Sequence, residues 1–92
     1  MKNLKTLKAE LLARPDTRAA YDAQADEFAI ARELIAARTR AGLTQADVAE
    51  RMGTTQSTVA RLEGGKAAPS LRSVQRYAHA VGCRAVVHLE HA

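Results

Sequence analysis

Hydrophobic side chains recur at helical spacing along most of this chain and switch to a two-residue period near its end. The clearest helical run covers residues 26–41, with Phe28, Ala31, Leu34, Ile35 and Arg38 on one stripe and Gly42 placed to terminate it. A second helix is expected from Thr44, a good N-cap with Asp47 three residues on as a weak capping-box match. Leu43 and Val48 flank it as a hydrophobic staple. It should end at Met52, with Gly53 free to adopt the left-handed turn. A third helix starts from Thr55 as N-cap and stops near Glu63, before two glycines. A fourth runs from Ser70 to Val81, its apolar face made of Leu71, Val74, Tyr77, Ala78 and Val81, with Gly82 as terminator.

The two ends read differently. In the tail, Cys83, Ala85, Val87 and Leu89 alternate with Arg84, Val86, His88 and Glu90, which predicts a single β-strand. A lone strand cannot satisfy its own backbone, so its partner is expected from another chain rather than from a fold-back on its own. At the front, Leu4, Leu7, Leu11 and Leu12 keep helical spacing, and Pro15 marks a break after them. Residues 16–25 favour helix but hold Tyr21 as their only large apolar side chain, so residues 1–25 read as an N-terminal extension. The expected organisation is therefore this extension, a helical domain over 26–82, and a C-terminal strand and tail over 83–92.

Composition narrows the class. Ninety-two residues, 47% of them hydrophobic, suffice for one domain with a modest core. No apolar run approaches the roughly 20 residues of a membrane span, and the first ten residues lack a signal-peptide pattern, so a cytoplasmic location is expected. The single cysteine, Cys83, agrees with a reducing compartment and reads as a small core residue. Net charge is +4, and the surplus is lopsided: residues 1–27 carry five Lys/Arg against five Asp/Glu, residues 28–92 nine against five. A polyanionic partner for the second part follows.

Two short helices joined by a glycine turn form a helix-turn-helix, and the third helix has the face such a motif needs. At about 100° per residue, Gln56, Ala60, Ser57 and Arg61 fall within an arc of about 140°, with Thr58, Val59 and Leu62 opposite. Gln can pair bidentately with adenine and Arg with guanine, a hydroxyl suits either, and small Ala60 permits close approach.

With these residues in place, Leu34 to Gly82 resembles the DNA-binding domain of lambdoid phage repressors and XRE-type regulators. The match rests on Gly42, Leu43, Thr44-Gln45, Ala49, Gly53, Gln56-Ser57, Leu62-Glu63, Gly65-Lys66 and Pro69, with spacing kept throughout. The resemblance implies an all-α fold of four to five helices, lambda-repressor-like, with the helical extension and strand appended. It implies major-groove contacts from Gln45, Gln56, Ser57 and Arg61, and places where the DNA backbone is held at Thr44, the Gly64-Gly65 turn and Lys66. The capping Thr55 belongs with this DNA-facing set. For Arg38 and Glu63 it implies a core ion pair, which fits Arg38 lying on a buried stripe.

A wider and looser similarity, carried by "LLARPDTRAAYDA", "LIAAR" and the closing "GCRAVVHLE", is to HigA-like antitoxins of toxin–antitoxin modules. That resemblance implies a homodimer that represses its own operon on double-stranded operator DNA and neutralises a RelE/HigB-type toxin that cleaves mRNA. Leu4, Leu7, Leu11, Leu12 and Tyr21 are the candidate toxin-binding residues. A stand-alone XRE-family or phage-type repressor, whose arm only docks or dimerises, is the alternative. His79, His88 and His91 do not converge as metal ligands, and no nucleophile motif or phosphate loop is present, so neither an enzyme nor a cofactor or small-molecule ligand is expected.

Overall fold

The computed structural model describes the backbone of residues 15–91 and the side chains from residue 25 onward. Leu4, Leu7, Leu11 and Leu12 lie outside the described residues, and Tyr21 is placed by its backbone alone. Among the described residues four helices follow in order: α1 (Pro15–Arg40), α2 (Gln45–Met52), α3 (Gln56–Leu62) and α4 (Leu71–Ala80).

α1 begins at Pro15 rather than near Asp26. Pro is tolerated at a first helical position because the amide hydrogen it lacks would have no partner there. The Ala-rich stretch behind it extends a helix already nucleated by the packed part of α1, so it needs no strong apolar stripe of its own. The buried stripe is also narrower than expected. Ala31 and Leu34 are buried, while Phe28 and Ile35 sit at its edges, 39% and 36% exposed.

The later helices start where short polar side chains can take up free amides. Thr44 Oγ1 accepts from the Asp47 amide at 3.1 Å while Asp47 Oδ2 accepts from the Thr44 amide at 2.9 Å, a complete reciprocal capping box. Thr55 and Ser70 do the same for α3 and α4 by accepting from the Thr58 and Ser73 amides. α2 closes on Gly53, whose φ of 68° lies in the left-handed region. Two arginines cap each other's helices at the C-terminal ends. Arg51 of α2 donates to the Ala80 carbonyl at the end of α4, and Arg76 of α4 donates to the Met52 carbonyl at the end of α2.

The core gathers Leu34 from α1, Val48, Ala49 and Met52 from α2, Val59 from α3, and Tyr77 and Val81 from and just after α4. Val48, Val59 and Tyr77 are fully buried. Leu71, expected on the apolar face of α4, is instead half exposed at its first turn. After α3 the chain turns through Gly65, which is buried with φ +69°, and the Phe28 ring lies over it so closely that a Cβ there would collide with Cδ1.

Among the described residues there is no β-strand. The strand expected over 83–90 carries no regular structure in the single chain, and Val86, Val87 and Leu89 are exposed. The last backbone hydrogen bond of the loop is from the Cys83 amide to the Ala78 carbonyl at 2.8 Å. Cys83, expected in the core, is exposed. The physical reason is the one that made a lone strand incomplete: with no second strand among the described residues, its amides and carbonyls have no ladder to join. Among the described residues no helix is long and apolar enough to cross a membrane.

Candidate nucleic-acid interface

α2, the Gly53 turn and α3 form a helix-turn-helix, and the two helices pack directly on one another. Val59 anchors α3 inward with no exposure, and Thr58 and Leu62 flank it, partly buried. Gln56, Ser57, Ala60 and Arg61 are exposed on the other side. With other described residues the side chains of Gln56, Ser57 and Arg61 make no hydrogen bond, so their donors and acceptors are available to a ligand.

The caps stand beside this face. Thr44 and Thr55 are exposed at the first turns of α2 and α3, each using a hydroxyl lone pair for its cap, and Thr55 Oγ1 lies 3.0 Å from Thr58 Oγ1. Gly64 and Lys66 are exposed in the turn that follows α3. Amides and hydroxyls at helix starts, with a lysine near them, suit phosphate oxygens.

Behind the face lies a buried polar cluster centred on Glu63, whose side chain is only 4% exposed. Arg38 Nε donates to Oε2 at 2.9 Å and its Nη2 donates to Oε1 at 3.0 Å, a bidentate pair, while Nη1 reaches the Leu43 carbonyl. The Tyr77 hydroxyl donates to Oε2 and also lies 3.1 Å from the Leu34 carbonyl. Gln45 Nε2 donates to Oε1 at 3.1 Å. The cluster therefore ties the four described helices together through one carboxylate. No buried side-chain nitrogen or oxygen among the described residues lacks a partner.

Two members were not legible beforehand. Tyr77 read only as part of an apolar face, although a tyrosine where a phenylalanine would suffice signals a buried partner for its hydroxyl. Gln45 was expected to face DNA; it stands half-buried at the start of α2, with its amide nitrogen already bonded to Glu63.

Burial pushes the Glu63 carboxyl up, but donors from Arg38, Tyr77 and Gln45 outweigh it, and the net shift is downward. Burial, then the bond to Glu63, pushes the Tyr77 hydroxyl well above its ordinary range, so it remains a donor. The Arg38 guanidinium is raised, chiefly by its bond to Glu63.

A depressed carboxyl contributes stability that is complete above the unfolded-state pKa and is lost as pH falls through the folded one. Thermal melts should thus hold steady down to about pH 4.3, the free glutamate value, and drop below it. Asp47, depressed by the Thr44 amide and then its hydroxyl, acts in the same direction. Asp47→Asn should leave most of the acid limb in place; an acid limb removed by that exchange would assign it to the cap.

A family model described as helix-turn-helix matches residues 34–87, which takes in α2, α3, α4 and the last seven residues of α1. Among curated relatives, two antitoxins named HigA1, from the CDC 1551 and H37Rv strains of Mycobacterium tuberculosis, are each 44% identical over 57 residues. The match covers 62% of this chain but only 38% of theirs. An uncharacterised HTH-type transcriptional regulator of Methanothermobacter thermautotrophicus is 47% identical over 45 residues, 49% of this chain and 65% of its own. No solved structure matches the chain. Glycine turn, caps, inward Val59 and family match agree over more than half the sequence, and this chain belongs to the helix-turn-helix family.

Proposed function

We propose that the protein is a sequence-specific DNA-binding repressor that doubles as an antitoxin. The observation that carries the DNA reading is the outward edge of α3. Gln56, Ser57 and Arg61 are exposed and unbonded to other described residues while Val59 beneath them is fully buried. Gln45, Gln56, Ser57 and Arg61 read bases, and Thr44, Thr55, Gly64 and Lys66 hold the backbone. The protein acts as a homodimer on half-sites about 34 Å apart, with the exposed 83–90 segment as the element that gains a strand partner.

Two substitutions separate the roles. Arg61→Ala should cost about 1–3 kcal/mol at the selected operator and relax preference at one base pair, whereas Lys66→Ala should weaken all duplexes alike and lower the salt slope by about one unit. Binding titrations on operator and scrambled duplex at several salt concentrations read both. Equal loss on the two duplexes for Arg61→Ala would move that residue to the backbone set.

The antitoxin half of the proposal draws support from the 44% identity to proteins named antitoxin HigA1, and the stand-alone regulator from the 47% identity to an HTH-type regulator. Co-expression with the product of the adjacent gene decides between them. A RelE/HigB-type toxin should be bound and its growth arrest relieved by the full chain, and a version lacking residues 1–24 should lose this if the N-terminal leucines and Tyr21 form the grip. Rescue by both versions transfers the grip to the C-terminal segment. Rescue by neither leaves the stand-alone repressor.

A further inference from the structure

Arg51 and Arg76 do more than cap. Arg51, in the last turn of α2, donates from Nη1 to the Ala80 carbonyl at 2.9 Å, and Arg76 of α4 donates from Nη2 to the Met52 carbonyl. An unanchored surface arginine samples many rotamers, and an anion that binds it must first arrest them. Here each guanidinium is already fixed, using one N–H on the opposite helix end and keeping the others. Both line one shallow pocket of about 390 Å³, together with Met52, His79 and Ala80. His79 follows Arg76 by three residues on the same side of α4 and is exposed, so its ring joins the rim.

The charge at this pocket is unbalanced. Two guanidiniums bring two full positive charges, whereas each helix C-terminus contributes only about half a negative charge, which the capping bonds already engage. Asp47, one turn before Arg51, is occupied with the Thr44 amide and hydroxyl at the other end of α2. Neither Asp47 nor the adjacent Glu50 pairs with Arg51 or Arg76, and among the described residues the salt bridge that forms is Arg38 with Glu63. The pocket takes no lining residue from α3 or from the turn after it, and α2 puts about 12 Å between it and Thr44. It is a separate positive site.

We propose that the pocket between the ends of α2 and α4 binds a phosphate group, either inorganic phosphate or the terminal phosphate of a small monoester. A carboxylate offers two oxygens in a plane and is satisfied by one guanidinium fork. Phosphate spreads its oxygens around a tetrahedron, so two guanidiniums fixed to different helices can each find oxygens of their own. The volume lies at the small end of the roughly 300–1,000 Å³ of ligand sites, which suits a phosphate with a small group attached rather than an extended molecule. Bound there, the anion links the end of α2 to the end of α4 and stabilises the folded chain by mass action.

The test is an NMR titration of the isotope-labelled full chain with inorganic phosphate, with a nucleoside 5′-monophosphate and with chloride, all at matched ionic strength. The expected result is saturable movement of the backbone amides of Met52, Gly53 and residues 79–81 with phosphate or the monoester, and none with chloride. Tighter binding of the monoester makes the attached group part of the ligand; equal binding assigns the site to phosphate itself. Arg51→Lys combined with Arg76→Lys keeps both charges and a donor for each carbonyl but removes the forks, and should weaken phosphate binding about tenfold. Unchanged affinity in that variant would overturn the proposal, since charge alone would then be gathering the anion. The wild-type titration decides even if the double variant does not fold: amides that drift in proportion to salt, alike for phosphate and chloride, overturn it. A glutamate-rich peptide that moves the same amides at lower concentration than phosphate would also overturn it, making the pocket a docking surface for an acidic protein. Displacement of phosphate from these residues by duplex DNA would do the same, by moving Arg51 and Arg76 to the DNA surface.

Discussion

Glu63→Gln should cost about 3–5 kcal/mol of folding free energy, a large fraction of the 5–15 kcal/mol typical of a native domain. The exchange keeps shape and removes one charge, so the loss comes from what remains. Arg38, 19% exposed, keeps its guanidinium without a counter-charge, and the new NH2 group confronts donors from Arg38, Gln45 or Tyr77. Urea titrations should show a lowered midpoint with an unchanged slope, as expected for lost stability without a change in the surface exposed on unfolding. Replacing both charges at once, Arg38→Met with Glu63→Met, should recover much of the loss, because paired apolar substitutes leave no orphaned ion. A single-variant loss below about 1 kcal/mol would reduce the cluster to an ordinary exposed pair.

Gly65→Ala should be the second most damaging change, for two separable reasons. At φ +69° a Cβ strains the backbone by about 1–2 kcal/mol, and the same Cβ runs into the Phe28 ring. The ring belongs to a partly exposed side chain and can move, so the steric share is the relievable one. A double-mutant cycle with Phe28→Ala measures it: the penalty of Gly65→Ala should shrink in the Phe28→Ala background but stay above zero, the residue being backbone strain. A penalty unchanged by Phe28→Ala would mean the ring swings aside at no cost. On the proposed reading of Lys66 as a backbone contact, the experiment also bears on binding, since a displaced turn carries its ammonium group with it.

What could be read from the sequence divides along a physical line. Thr44 with Asp47, Thr55, Ser70 and Gly53 are local signals, each acting on backbone groups within a few residues, and each cap forms as its residue type implies. The inward and outward faces of α3 follow from a 100° rotation per residue and need no tertiary information. Contacts between distant segments are another matter. Nothing in periodicity joins Gln45 to Glu63, Arg51 to the end of α4, or Phe28 to Gly65, because these depend on how helices cross. Arg38 with Glu63 was available only through family resemblance. α1 reaches further than its apolar stripe implies because a helix extended from a packed segment needs good helix formers rather than an apolar stripe. The 83–90 segment alternates as a strand should, yet alternation describes side chains while a ladder needs a second backbone.

The three outward residues of α3 make no hydrogen bond to other described residues, and that leaves them free to change over generations. On the proposed DNA reading, a lineage can exchange Gln56, Ser57 or Arg61 and acquire a new operator with almost no effect on folding, since surface substitutions of this kind usually stay within about 0.5 kcal/mol. Position 45 is wired to the centre of the molecule and cannot drift so cheaply. Duplicated copies of such a gene would therefore be expected to part company first along α3, one regulator escaping the other's operator through residues that the fold does not need.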